Sequence, residues 1–158
     1  MSRWLVGLSG LFIGLMLINA AYAKADDTFP MLTDTDSLPP DRVLILVAEI
    51  ENCSYCLRVK NEFLLPLTKD PKWEPLFSVR RLDLNSPQIV NNFARQSISQ
   101  KALGITLGAD FSPTLMFLNP VTGQRIGEDI IGLVTPDFYG FYLQQQIVLA
   151  YGRLTQKK

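Results

Sequence analysis

Residues 43 to 56 read Val43-Leu44-Ile45-Leu46-Val47-Ala48-Glu49-Ile50-Glu51-Asn52-Cys53-Ser54-Tyr55-Cys56, and Leu57-Arg58-Val59-Lys60-Asn61-Glu62-Phe63-Leu64-Leu65-Pro66-Leu67 follow. The unbroken apolar run Val43 to Ala48 has the pattern of a strand buried on both faces of a sheet, and Glu49 and Glu51 mark its exit. Beyond Cys53 the period changes. Leu57, Val59, Phe63, Leu64 and Leu67 alternate with Arg58, Lys60, Asn61 and Glu62, which predicts a helix with one buried side that Pro66 kinks or ends. The two cysteines therefore fall where a buried strand hands over to an amphipathic helix.

That junction gives the Cys-x-x-Cys pair its chemistry. The same spacing also serves zinc ribbons, soft-metal carriers and structural disulfides, so the spacing alone does not choose. At a helix start, Cys53 faces unpaired backbone N–H groups and the positive end of the dipole. A thiolate is stabilised there, its pKa brought from about 8.5 toward or below neutrality. Cys56 lies nearly one turn further on, within reach of a mixed disulfide formed at Cys53. Cys53 is thus the candidate nucleophile and Cys56 the candidate resolving thiol.

Downstream, Phe77 to Leu84 alternates as a second strand, and Ser86-Pro87 has the chemistry of a helix start with Ile89, Val90 and Phe93 as its apolar contacts. Lys101 to Ile105 predicts a short helical turn stopped by Gly104. Leu115 to Leu118 is a further strand. The turn formers Asn119 to Gly123 then predict a hairpin with Gln124 to Ile126 returning antiparallel. Thr135 and Pro136 read as N-cap and first residue of a last helix, with Phe138, Phe141, Tyr142, Leu143, Ile147 and Leu149 as a broad apolar surface. The order is strand, helix, strand, helix, strand, strand, helix: an α/β fold with a central mixed sheet flanked by helices.

Upstream, residues 1 to 23 read as an export signal, with Arg3, an apolar stretch from Trp4 to Ile18 and the small residues of Ala21-Tyr22-Ala23. Cleavage after Ala23 is expected, and retention as a membrane anchor is the alternative. Subtracting 23 from 158 leaves 135 residues, enough for one domain and too few for two. Residues 24 to 42, rich in Asp, Thr, Ser and Pro, read as a loop of modest structural role leading into a domain at 43 to 152, and 153 to 158 as a tail.

Composition excludes several classes. The whole chain carries 15 basic against 15 acidic residues, and loss of Arg3 with the signal leaves 14 against 15, so no nucleic-acid partner is expected. There is no histidine, which removes Ser-His and Cys-His nucleophile pairs and every histidine-bearing metal site. No metal site and no cofactor is expected.

The strand, the Cys-x-x-Cys at a helix start, Ser112-Pro113-Thr114 opening a later strand, the hairpin and the final helix resemble the thioredoxin superfamily over about residues 40 to 152. The signal, Tyr55, the Phe63-Leu64-Leu65-Pro66-Leu67 segment and the Val79-Arg80-Arg81-Leu82-Asp83 strand resemble small periplasmic members, of the kinds associated with sulfur oxidation and with disulfide-bond handling. The resemblance implies a thioredoxin fold and a thiol-disulfide oxidoreductase using Cys53 and Cys56. It further implies a cis Pro113, with Ser112 and Tyr55 beside the bound partner chain. Exported proteins with cysteines or disulfides, and a membrane-bound redox partner, are the implied partners.

Three departures from the family pattern matter. Asn52 replaces the usual aromatic residue before the first cysteine. Val47 stands where many members keep a buried carboxylate. Glu49 and Glu51 share its strand parity and read as exposed rim carboxylates, with proton acceptance for Cys56 as their other use; Arg81 is left open between a pair with Glu49 and solvent. Ser54-Tyr55 lacks the histidine of strongly oxidising members. The expectation is therefore a reductant or exchange protein; a soft-metal (copper) binder and a disulfide-donating oxidant are the alternatives.

Overall fold

The structure is a computed structural model and describes residues 28 to 156. The expected export signal and its expected cleavage after Ala23, and Lys157 and Lys158, lie outside the described residues.

A four-stranded mixed sheet in the order β2-β1-β5-β6 forms the centre. Strand β1, Val43–Glu49, is buried along its whole length because neighbours flank it on both sides. It runs parallel to β2, Phe77–Asp83, with Val43 opposite Phe77 and Glu49 opposite Asp83. On its other side β5, Thr114–Leu118, is antiparallel, with Leu44 opposite Leu118 and Ala48 opposite Thr114. The short edge strand β6, Ile130–Ile131, completes the sheet against Thr114 and Leu115.

Alternate side chains of β1 feed two cores, as the two-residue period of a strand requires. Val43, Ile45 and Val47 join one face with Val59, Leu64, Tyr139, Leu143 and Ile147, while Leu44, Leu46 and Ala48 join the other with Leu32, Val90 and Leu103. The first face is covered by a long helical run and by α4, Pro136–Thr155. That run is α1, Ser54–Arg58, then a π-helical stretch Val59–Leu64, then α2, Leu65–Lys69. Pro66 does not end it; it occupies the first turn of α2, where its missing N–H is not required.

The second face is built differently from the sequence expectation. Ser86-Pro87 starts no helix: β3, Ile89–Asn91, and β4, Ser97–Ser99, form an antiparallel hairpin. The Asn92 side chain accepts the N–H groups of Ala94 and Gln96, and Arg95 turns the chain at φ 58°, so tight turn chemistry prevails over the helix signal. Helix α3, Gln100–Thr106, runs through Gly104, whose role is close packing: a Cβ there would meet Leu84 Cδ2 at 2.7 Å. The chain leaves this helix at Gly108, whose φ of +66° only glycine adopts freely.

The segment before β1 does more than lead in. Leu32 donates its N–H to Arg81 O, Arg81 returns one to Pro30 O, and Thr35 and Asn91 link the same segment to β3. It thereby covers the free edge of β2, and Phe29, Leu32 and Leu38 are buried in the two cores.

Two further expectations shift. The hairpin return at Gln124 to Ile126 makes only a bridge between Leu118 and Arg125, and the ladder resumes at β6. Thr135 sits at the N-cap of α4 in the left-handed region, φ 51°, and its hydroxyl bonds Val134 O instead of capping. Tyr139, Leu143, Ile147 and Ala150 are buried in the core from α4, with Tyr151 and Leu154 packed against it, and the helix extends into the expected tail as far as Thr155; Phe138, Phe141, Tyr142 and Leu149 point outward.

Candidate active site

Cys53 is the N-cap of α1, in extended conformation, and its Sγ accepts the Cys56 N–H at 3.1 Å. Asn52 before it adopts φ 57°, a left-handed conformation that asparagine tolerates better than the aromatic residues usual there. Cys53 and Cys56 are joined in a disulfide with Cα atoms 5.2 Å apart. Cys53 is partly exposed and Cys56 buried, so the first cysteine is open to solvent and the second faces the protein interior.

The start of β5 closes on the sulfurs from the other side. The Ser112–Pro113 peptide is cis. Ser112 Oγ lies 3.1 Å from Cys56 Sγ and 3.6 Å from Cys53 Sγ. The turn is braced by Gly132 N–H donating to Pro113 O at 2.7 Å and by Thr114 Oγ1 donating to Phe111 O at 2.8 Å. Residues 59 apart in sequence, Cys53 and Ser112, thus meet because β5 is antiparallel to β1 and begins beside the point where β1 ends. Tyr55 lies on the exposed surface of α1, between the two cysteines in sequence.

Behind the disulfide lies a charged group that sequence reasoning placed wrongly. Glu49 is 7 % exposed and Lys60 only 1 %, so neither is a rim residue. Lys60 Nζ donates to Glu49 Oε2 at 2.5 Å, and Arg81 Nη1 donates to Oε1 at 3.3 Å while its Nε holds Phe29 O. Burial pushes the Glu49 carboxyl up to about 7, against the downward pull of Arg81. Burial and the neighbouring guanidinium bring the Lys60 ammonium down to about 8. The two groups therefore titrate close together, near neutrality.

A cavity of about 610 Å³ on the β2 side of the disulfide is lined by Cys53, Cys56, Glu49, Lys60 and Arg81 among others, so the charged pair and the two cysteines share one space. The signal for Lys60 was in the sequence: it stands four residues after Cys56, on the same side of the helix. Its polar type argued for the outer face; the carboxylate that makes its burial tolerable comes from the end of β1, on the strand parity of Val47.

No family model and no curated protein matches this sequence. Among solved structures, thioredoxin f2 of Chlamydomonas reinhardtii is similar at 17 % identity, over 75 % of this chain and 98 % of that one, with a TM-score of 0.50. A thioredoxin-fold protein from Helicobacter pylori shares 18 % identity over 87 % of this chain and 98 % of its own, with a TM-score of 0.49. Sheet order, the cysteine pair at the helix start and the cis proline opposite it define the class: the chain has the thioredoxin fold.

Proposed function

We propose that this chain is an exported thiol-disulfide oxidoreductase of the small periplasmic thioredoxin-like type, which reduces or exchanges disulfides of other exported proteins. The observation that carries the reading is the Cys53–Cys56 disulfide at a helix N-terminus with Ser112 Oγ within 3.6 Å of both sulfurs and a cis proline beside it.

In the reduced protein the Cys53 thiolate attacks one sulfur of a client disulfide. A Cys53–client bond forms, the client S–S bond breaks, and one client thiolate leaves. Cys56, deprotonated, then attacks Cys53 Sγ, expels the second client thiolate and closes the Cys53–Cys56 bond. The client gains two electrons and the protein loses two, which a membrane-bound dithiol donor restores. Glu49, in the same cavity and titrating near 7, takes the Cys56 proton. Ser112 and Pro113 hold the client segment, with Tyr55 at its rim.

Cys56→Ser, expressed with its signal, is expected to accumulate covalent complexes with exported proteins that dithiothreitol dissolves, while Cys53→Ser accumulates none. Absence of complexes from Cys56→Ser beside an active wild type overturns the proposal. Stoichiometric copper(I) binding that needs both cysteines, with no thiol exchange, transfers the site to the soft-metal reading.

A further inference from the structure

Helix α4 is apolar on both sides. Its inner stripe, Tyr139, Leu143, Ile147 and Ala150, is buried against the sheet. Its outer stripe is Phe138, Phe141, Tyr142, Gln145, Val148, Leu149 and Gly152, with Phe138 60 %, Phe141 64 % and Val148 55 % exposed. No charged residue occurs between Asp137 and Arg153. A helix apolar all round is one whose second face is also covered.

The outer stripe is also self-complementary. Taking Gln145 as centre, Phe138, Phe141 and Tyr142 stand seven, four and three residues before it, and Val148, Leu149 and Gly152 three, four and seven after it. A two-fold axis through Gln145 lays two α4 helices antiparallel and places the aromatic half of each on the small half of the other. Phe141 then meets Leu149 of the second copy, Tyr142 meets Val148, and Phe138 meets Gly152, where a built Cβ has nothing within 4 Å. Large side chains against small ones let helices approach closely, and Gln145 can hydrogen-bond its own copy at the axis.

We infer that α4 is the interface of a symmetric homodimer, the two helices crossing antiparallel at Gln145. The outer stripe offers on the order of 500 Å² per copy, so two copies bury about 1,000 Å², the lower bound for a specific interface. The absence of charge along the stripe means that no like charges face one another across the axis, which an isologous contact otherwise has to avoid. The dimer does not depend on the redox reading.

Sedimentation velocity on the full exported protein, oxidised, over about 1 to 100 µM is the test, repeated with both cysteines replaced by Ser to exclude intermolecular disulfides. Wild type is expected to sediment as a dimer in the upper part of this range. Phe141→Glu and Leu149→Lys, both at exposed positions, each weaken it by about tenfold or more, since each leaves a charge facing apolar surface. Combining the two substitutions sets the introduced carboxylate of one copy against the introduced ammonium of the other, twice across the axis, and restores the dimer. A monomeric wild type, or a double variant as dissociated as the single ones, overturns the inference. So does binding to a client protein or to lipid vesicles that Phe141→Glu abolishes in a chain that stays monomeric, since the face then belongs to another occupant.

Discussion

The buried Glu49 and Lys60 predict an unusual pH dependence of stability, best read on the oxidised protein, where the thiols are silent. The Glu49 carboxyl is raised from 4.5 to about 7 in the folded chain. Between those values the unfolded chain has released a proton that the folded chain keeps, so stability falls as pH rises through this window. The full span corresponds to about 3 kcal/mol, at about 1.4 kcal/mol per unit. Lys60 moves the other way, from 10.5 to about 8, so between those values the unfolded chain holds the extra proton and stability climbs again with pH. The two contributions together place a minimum between pH 7 and 8. Glu49→Gln keeps the shape and an acceptor for Lys60 but cannot ionise. Urea unfolding of both proteins from about pH 5 to 8 should therefore show wild type losing about 1 to 3 kcal/mol relative to the variant. A difference that is flat with pH, or that grows in favour of wild type, refutes the assignment of the perturbed carboxyl to Glu49.

Ser112→Ala removes a hydroxyl within 3.6 Å of both sulfurs, one that bonds the Cys53 thiolate of the reduced form more strongly than a disulfide sulfur. A loss of about 1 kcal/mol from the reduced form moves the midpoint about 20 mV more negative in thiol-redox buffers, and a positive shift contradicts that role. Leu32→Ala, in the segment that covers the edge of β2, empties a fully buried site and should cost about 2 to 5 kcal/mol in chemical unfolding; a cost under about 1 kcal/mol would mark the segment as a dispensable leader.

Much of the architecture is legible in the chain because the strong signals are local. The doubly buried strand Val43 to Ala48, the change of period after Cys53 and the strand at Leu115 to Leu118 each carry their own pattern, and these position the cysteines and Ser112-Pro113. What fails to read locally depends on partners distant in sequence. Ser86-Pro87 has the dipeptide of a helix start, yet Ile89–Asn91 pairs with Ser97–Ser99 on one side and is bridged to Asp34 on the other. Glu49 and Lys60 are polar residues that burial makes sense of only together, and nothing in a single sequence announces that they meet. In α4, apolarity alone assigns the aromatic residues to the core, but the faces are set by Tyr139, Leu143 and Ile147 at four-residue spacing, which turns Phe138 and Phe141 outward.

The most direct test of a thiol-disulfide role is the redox equilibrium of the Cys53–Cys56 pair, titrated by thiol alkylation in glutathione and dithiothreitol buffers. A reductant or exchange protein predicts a reversible two-electron transition with a midpoint near that of thioredoxin, about −270 mV. A midpoint near about −120 mV would contradict the reductant reading and make the protein a disulfide donor. A pair that cannot be cycled at all would contradict the oxidoreductase account itself.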